Sequence, residues 1–277
     1  MNAISVCVIL FGLFSFQAVA ETTVSVRGNA QNPASADAGS SARSGNHVDS
    51  GAKSNHALPV IESQFSDVDV VPDGDLGKKF WSSAKRVHFD EAAFTREKYP
   101  KAETMVASRW TAHYLYLAFW CHYQTLNVYQ GENPATERWG LWEKDVAEVF
   151  INPQPERPLH YYEFEIAPTN QWIDLEIDLG NHPFNDWKWN SGFEHATKID
   201  SVHHVWTAEM RIPVRSMKVK RIRANAEWKL NFYRNDGSGS ENERRKLSWS
   251  PVPKNVPVLF HQPASFGTIR FVGGSGK

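Results

Sequence analysis

The stretch that decides the fold is Trp172-Ile173-Asp174-Leu175-Glu176-Ile177-Asp178, in which three aliphatic residues alternate with three acidic residues. Successive side chains of a β-strand point to opposite faces of the sheet, so a strict period of two predicts a strand. The aliphatic residues are predicted to face the core and the acidic residues to face solvent. The chain is therefore read first as a β protein.

Alternating segments of the same kind lie on both sides of this stretch, divided by polar turns such as Thr111-Ala112-His113 and Asn235-Asp236-Gly237. The further predicted strands are 105–110, 114–122, 146–151, 161–166, 206–212, 227–234 and 266–272. No helix longer than two turns is predicted, and 90–98 is the one short candidate. Many short strands between polar turns indicate an all-β, antiparallel, jelly-roll-like β-sandwich that forms a single domain. The predicted core residues are Leu115, Leu117, Phe119, Phe164, Ile173, Leu175, Met210 and Phe232.

The N-terminal 57 residues differ in composition from the predicted domain. Residues 4–16 are almost continuously apolar and are followed by Ala18-Val19-Ala20, the small residues that a signal peptidase reads. The run is short for a bilayer span, so residues 1–20 are predicted to be a cleaved signal peptide. Residues 21–57 are rich in Ser, Ala, Gly, Asn and Asp and are predicted to be a disordered linker. The sandwich then occupies 58–277, in a secreted or periplasmic protein whose mature chain has no membrane span.

Charge and composition restrict the kinds of partner and of stabilisation that the chain can have. The formal net charge is −1, so the whole chain carries no electrostatic footprint for nucleic acid. Removal of the signal peptide leaves Cys121 as the single cysteine, so packing and not a disulfide must stabilise the fold. The 11 Trp residues are unusual, but their number alone does not separate a core role from a binding role.

The polar residues form no recognised catalytic or metal-binding motif. The chain has no His-x-x-x-His, Cys-x-x-Cys or Gly-x-Ser-x-Gly pattern, and His203-His204 lies in a predicted hairpin turn. A glycosidase needs two carboxylates roughly 5 to 9 Å apart on different elements. The acidic row at 174–178 is read as the wet face of its strand, although such a row with backbone carbonyls could hold a structural calcium ion. No catalytic residue, metal or cofactor is predicted.

Aromatic residues in a polar loop give the positive functional signal. Residues 138–145 hold Trp139 and Trp142 among charged residues immediately before a predicted strand. Flat aromatic rings stack on the C–H faces of pyranose rings, while nearby carboxylates accept hydrogen bonds from sugar hydroxyls. A loop tryptophan is more often buried than used as a binding platform, so this placement alone leaves both roles open. A sugar-binding surface at this loop would have Glu143 among its polar residues.

Several motifs in order resemble family 9 carbohydrate-binding modules and the wider family 9-like (DOMON-like) β-sandwich superfamily. Asp73-Gly74-Asp75 followed by Phe80-Trp81 resembles the opening of that family, and Trp142-Glu143-Lys144-Asp145-Val146-Ala147-Glu148-Val149-Phe150-Ile151 is the most specific match. Phe260-His261-Gln262-Pro263 resembles the start of its closing segment. The resemblance extends from about residue 71 to residue 272.

The resemblance implies a non-catalytic, exported β-sandwich that clamps the end of a glycan between two aromatic side chains. The implied ligand is a plant-type or other polysaccharide or oligosaccharide. Trp142 matches one wall of the clamp and Glu148 matches the carboxylate that accepts hydrogen bonds from the sugar. Phe260 stands where xylan-binding members have Trp, and Glu165 stands where they have Arg.

These two departures keep other functions open. Phe has a smaller stacking face than Trp, and Glu in place of Arg turns a donor into an acceptor. Glu148, Glu163 and Glu165 would repel one another unless a cation, or an arginine such as Arg234, lies close. The alternatives are an exported binding or scaffold protein for a non-sugar ligand or partner, and a glycan-active hydrolase of the xylanase type.

Overall fold

The computed structural model describes residues 57–131, 133, 136–186, 188–237, 244–253 and 260–274, with only the backbone for 182–186. The predicted signal peptide and nearly all of the predicted linker lie outside these residues. The strands are β1 (Val60–Phe65), β2 (Arg86–Phe89), β3 (Thr104–Trp110), β4 (Tyr114–His122), β5 (Val146–Asn152), β6 (His160–Ile166), β7 (Trp172–Asp178), β8 (His182–Asp186), β9 (Glu194–Asp200), β10 (Val205–Pro213), β11 (Glu227–Asp236), β12 (Arg245–Ser248) and β13 (Gly267–Val272). The helical segments are α1 (Lys79–Ser82) and the 3₁₀ turns Pro100–Ala102, Leu141–Glu143 and Pro263–Ser265.

The strands form one hydrogen-bonded path in the order β8-β7-β6-β5-β11-β13-β1-β3-β4-β10-β9, with β12 on β11 and β2 on β3. The path curls so that β3, β4 and β10 face β5, β6 and β11 across a shared core, where the rings of Phe119 and Phe232 lie 5.8 Å apart. The all-β fold predicted from the sequence is therefore confirmed. One pairing pattern differs from the antiparallel prediction, because β1 runs parallel to both of its neighbours, β13 and β3.

The sequence located the strongly alternating strands and missed the weak ones. Strand β7 has the predicted bounds, and each of the other predicted strands is present within two residues at either end. Strands β1, β2, β8, β9 and β12 were not predicted. The predicted helix at 90–98 is wrong, because Glu91 and Lys98 instead form an isolated bridge and the α-helix lies at Lys79–Ser82. Among the described residues, no helix has the length and apolar character that crossing a membrane requires.

The eight predicted core residues are all buried, but they belong to two clusters. Six of them fill the space between the two halves of the curled sheet. Ile173 and Leu175 instead pack with Phe150 and Tyr161 on the outer face of β5, β6 and β7. Both faces of these strands are thus covered, and this outer face carries the candidate site.

The prediction that the acidic residues of β7 face solvent is wrong for Asp174, which is fully buried. Its carboxylate accepts a hydrogen bond of 2.8 Å from the Ser191 amide and another from the Ser191 hydroxyl. Glu176, in the same row, pairs with His160 Nε2 at 2.7 Å. These partners come from other segments and let the carboxylates lie beside the core.

The Asp73-Gly74-Asp75 and Phe80-Trp81 motifs meet at one buried carboxylate. Glu209 of β10 accepts hydrogen bonds from Trp81 Nε1 at 2.8 Å, from the Asp73 amide at 3.0 Å and from Lys78 Nζ at 2.8 Å. Gly74 has φ +75° and no room for a side chain, since a Cβ there would lie 2.8 Å from the Thr197 carbonyl carbon. These motifs therefore secure the N-terminal loop to β10.

Candidate functional site

An aromatic pair lies on the turn that leads into β5. Gly140 adopts φ +79°, a left-handed conformation that glycine tolerates, and the 3₁₀ turn Leu141–Glu143 follows it. Leu141 is buried and anchors the turn, whereas Trp142 is half-buried. The Trp142 ring is 4.9 Å from that of Trp139 and nearly perpendicular to it, at 81°. Trp139 is 48% exposed, so the pair presents an aromatic corner at the surface.

Polar groups surround this corner. The Tyr129 hydroxyl lies 3.1 Å from the Gly140 carbonyl and 3.2 Å from Glu143 Oε2. The Arg138 guanidinium lies 3.4 Å from the centre of the Tyr129 ring, a cation–π contact. Glu143 itself is exposed. The corner thus has a carboxylate and a guanidinium from its own segment, and a phenol from the segment that contains Tyr129, close beside it.

Asn235 connects the aromatic turn to the sheet below it. Its side-chain Nδ2 donates to the Trp142 carbonyl at 3.0 Å and to Glu148 Oε1 at 2.8 Å. Arg244 donates to the same Trp142 carbonyl at 2.7 Å. The sequence treated Asn235 as a turn residue, but β11 extends through Asp236. The alternation of the strand could have indicated its position. Asn235 lies two residues after Tyr233, and Tyr233 pairs with Glu148, so all three side chains lie on the same face of the sheet.

Three glutamates, Glu148, Glu163 and Glu165, form a buried cluster on the outer face, hereafter the glutamate cluster. Glu148 of β5 lies directly opposite Glu165 of β6, and Glu163 is two residues away on the same face of β6. Their exposed fractions are 1%, 3% and 0%. Burial raises the pKa of Glu163 to about 7. Burial, followed by repulsion within the cluster, raises the pKa of Glu148 and of Glu165 well above its usual range.

Arg234 does not neutralise the glutamate cluster in the way the sequence suggested. Its side chain is fully buried and donates to Asp236 Oδ1 at 3.0 Å. Its guanidinium lies 5.1 Å from the centre of the Trp206 ring, which belongs to the core between the two halves of the sheet. Arg234 therefore occupies the opposite face of β11, as the alternation of the strand requires.

The predicted second wall, Phe260, lies beneath the surface. Phe260 is 7% exposed and stacks on Tyr233 with ring centroids 4.2 Å apart and planes at 12°. The Tyr233 hydroxyl donates to the Phe260 carbonyl at 2.9 Å. The next residue, His261, covers Phe150 with ring centroids 4.9 Å apart. This segment closes the outer face of β5 and β11, so Phe260 contributes packing there.

The five predicted site residues share one face of the molecule but differ in access. Trp142 and Glu143 lie at the surface turn, whereas Glu148, Glu165 and Phe260 are covered. Trp139, which the sequence noted only as part of the loop, is the most exposed aromatic residue of the group. Trp139, Trp142 and Glu143 are therefore the members of this group that reach the surface.

Comparison with known proteins connects this architecture to a family. Residues 71–274 match the family described as carbohydrate family 9 binding domain-like. A protein of Bacteroides uniformis that is described as carbohydrate-binding superposes with a TM-score of 0.62 at 19% identity, covering 78% of this chain and 100% of that one. A family 9 carbohydrate-binding module of Caldicellulosiruptor kristjanssonii, solved with cellotriose, superposes with a TM-score of 0.55 at 16% identity, covering 78% and 95%. These likenesses show the fold.

One relative is similar in amino-acid sequence. An extracellular protein of Arthroderma benhamiae is 25% identical over an alignment of 146 residues, with 48% of this chain covered. The matched region spans 63% of the length of that relative.

Proposed function

Since the chain belongs to the carbohydrate family 9 binding domain-like family, we propose that it binds the end of a glycan on the Trp139–Trp142 corner. The family is one of carbohydrate-binding modules, and its match covers nearly the whole described domain. The observation that carries the proposal is the aromatic pair at the surface, with Trp139 exposed and Trp142 half-buried, and a carboxylate beside it. Aromatic surface and a hydroxyl acceptor are the two features that a pyranose ring requires.

Each residue of the corner has a distinct task in this proposal. The Trp142 ring stacks on the C–H face of the terminal sugar, and the perpendicular Trp139 ring contacts its edge. Glu143 accepts hydrogen bonds from hydroxyl groups and so fixes the rotation of the ring. Asn235 and Glu148 hold the Trp142 backbone in place from below.

The remaining predicted residues support the platform. Phe260, stacked on Tyr233, backs the outer face on which the turn rests. Glu165 lies opposite Glu148 in the buried glutamate cluster beneath the turn. In this proposal Phe260 and Glu165 do not contact the sugar. The presence of Phe and Glu where xylan-binding members have Trp and Arg therefore leaves the aromatic corner intact.

The ligand class follows from the relatives and the shape of the corner. Two structures of the Caldicellulosiruptor kristjanssonii module were solved with cellotriose and with glucose, and both superpose on this fold. An open corner suits the end of a chain better than its middle, because two perpendicular rings enclose a single sugar. A β-glucan end of a plant-type polysaccharide is the proposed ligand, and xylo-oligosaccharides are the natural comparison.

The same proposal describes an exported protein with no catalytic role. One carboxylate oxygen from each glutamate of the cluster lies within 4.8 Å of the other two, and the three side chains are almost fully buried. A glycosidase needs its two carboxylates farther apart and open to the bond between them, so this cluster gives no support to a hydrolase. Export to the secreted or periplasmic space is supported by the apolar N-terminal run and by the extracellular relative.

Calorimetric titration with cellotriose tests the proposal. Trp142→Ala should weaken binding about 5- to 150-fold, which corresponds to the loss of about 1–3 kcal/mol of stacking. Trp120→Ala is the matched control, because Trp120 is a half-buried tryptophan of β4 that packs under Arg86, 4.1 Å from its ring centre. Unchanged affinity in Trp142→Ala would contradict the proposed platform. Failure of the wild-type protein to bind any gluco- or xylo-oligosaccharide would favour a non-sugar ligand.

A further inference from the structure

The segment that carries the aromatic corner is attached to the edge of β7 just before Trp139. Glu137 forms an isolated parallel bridge with Trp172 of β7, and the Arg138 amide donates to the Trp172 carbonyl at 2.9 Å. Trp139 and the turn with Trp142 follow directly. The contacts that hold residues 137–138 on β7 therefore also help to set the position of the corner.

A buried acidic side chain of β7 lies beside this attachment. Asp174 is fully buried, and its Oδ2 accepts hydrogen bonds from the amide and the hydroxyl of Ser191. Its other oxygen, Oδ1, has no hydrogen-bond donor among the residues that the structure describes. The Asp174 amide donates to Glu137 Oε1 at 3.4 Å. The Glu137 side chain thus lies next to a buried carboxylate oxygen that needs a donor.

The protonation state of Glu137 decides whether it supplies this donor. An ionised carboxylate only accepts hydrogen bonds, whereas a protonated carboxyl accepts with one oxygen and donates with the other. Beside Asp174, Glu137 meets both an amide donor and an acceptor, so the protonated form satisfies both. Burial, and then the charge of Asp174, raise the pKa of Glu137 to about 7. Burial also raises the pKa of Asp174, but the Ser191 bonds favour its charged form, so Glu137 holds the proton.

The other charged groups around this pair are engaged elsewhere or neutral. Glu176, the next acidic residue along β7, pairs with His160 and Lys218. The Arg138 guanidinium lies over a tyrosine ring at 3.4 Å. On β9, burial lowers the pKa of His195 to about 4, so its ring is neutral near pH 7. Among the described residues, Asp174 is therefore the charge that acts on Glu137.

We propose that Glu137 is a positioning residue of the aromatic corner, because its protonated carboxyl donates to Asp174 Oδ1 and holds the start of the corner segment on β7. When Glu137 loses this proton, two negative groups face each other. The half-buried Glu137 side chain then turns towards water, and the attachment to β7 loosens. The effect on sugar binding rests on the proposed function, whereas the effect on the corner itself does not.

The direction of the pH dependence follows from this arrangement. The form of the corner that binds sugar carries protonated Glu137. Affinity for sugar is therefore complete below the pKa of Glu137 and falls as the pH rises through about 7. By linkage, sugar binding near pH 7 takes up protons from the buffer.

The first test uses the ¹⁵N-labelled mature protein without sugar, titrated from about pH 5.5 to about pH 8.5. The indole N–H signals of Trp139 and Trp142 should shift with a common midpoint near pH 7. Glu137→Gln presents an amide that donates to Asp174 at every pH, so its two indole signals should stay in place. Glu227→Gln is the matched control and should titrate like the wild type, because Glu227 is an exposed carboxylate that pairs with Arg270.

The second test is calorimetric titration with cellotriose at both ends of this pH range. Wild-type affinity should be about 5-fold weaker at the upper pH, the loss expected for one hydrogen bond. Glu137→Gln should bind equally at both. Near pH 7 the wild type should take up protons on binding, measured in buffers of different ionisation enthalpy, and Glu137→Gln should not.

The outcomes separate the two proposals. Wild-type indole signals that do not titrate, or that titrate alike in Glu137→Gln, would overturn the positioning role. Equal cellotriose affinity at both pH values would overturn its effect on binding. Titrating indole signals without cellotriose binding at any pH would refute the sugar site and leave the role of Glu137 standing. If Glu137→Gln fails to fold, the carboxyl carbon signal of wild-type Glu137 decides, and a midpoint at the ordinary glutamate value of about 4.3 would overturn the proposal.

Discussion

Replacing Phe260 with alanine separates a structural aromatic residue from a ligand platform. Phe260 is 7% exposed, stacks on Tyr233 at 4.2 Å and lies 6.1 Å from Phe94 in a nearly parallel arrangement. A buried Phe→Ala change removes the transfer free energy of the ring and leaves a cavity, which together cost about 3–5 kcal/mol. The Tyr233 hydrogen bond is to the Phe260 carbonyl and survives the substitution. The loss therefore comes from packing alone.

Denaturant titration followed by circular dichroism measures this loss. Trp142→Ala is the comparison, because Trp142 is half-buried on a surface turn and should cost about 1 kcal/mol. We expect Phe260→Ala to lower the free energy of unfolding about three times as much as Trp142→Ala, with an unchanged m-value. A loss below about 1 kcal/mol for Phe260→Ala would refute the assignment of Phe260 to the packed outer face.

Three further predictions concern the fold. Phe119→Ala should cost about 3–5 kcal/mol in denaturant titration, because Phe119 is fully buried against Phe232; a loss below about 1 kcal/mol would contradict its position. Burial lowers the pKa of His195 to about 4, so the unfolded chain takes up the proton first as the pH falls. Between pH 6.5 and 4 the free energy of unfolding of the wild-type protein should therefore fall by about 2 kcal/mol more than that of His195→Gln, a value reduced because His195 is partly exposed. Curves of unfolding free energy against pH that run parallel for the two proteins would contradict this. Gly267→Ala should lower the Tm, because the added Cβ would lie 2.5 Å from the Trp249 ring and such overpacking costs about 1–3 kcal/mol of unfolding free energy. An unchanged Tm would contradict that contact.

The sequence predicted the strands whose own residues carry a clear alternation. Strand β7 was located to the residue because its aliphatic and acidic side chains alternate throughout. Its acidic face was misplaced because the burial of Asp174 depends on Ser191, a partner 17 positions away in the chain. Strand β9, with the sequence EHATKID, has weak alternation and becomes a strand through its pairing with β10.

The candidate site was only partly predictable for the same reason. Trp142 and Glu143 stand in a polar loop, and the family resemblance of residues 142–151 assigned the site role to Trp142. The link from Glu148 through Asn235 to Trp142 depends on the register between β5 and β11, which no local pattern specifies. The burial of Phe260 depends on how the segment before β13 folds over Tyr233, and only the structure supplies that contact.

The most direct test of glycan binding is a titration of the ¹⁵N-labelled mature protein with cellotriose, observed at the tryptophan indole N–H signals. The account predicts that the signals of Trp139 and Trp142 shift with a single binding isotherm, because they form the exposed corner. The signals of Trp81 and Trp206, which are fully buried elsewhere in the fold, should stay in place. Indole signals that do not move at saturating cellotriose, or a shift confined to Trp120 on the other half of the sheet, would contradict the account.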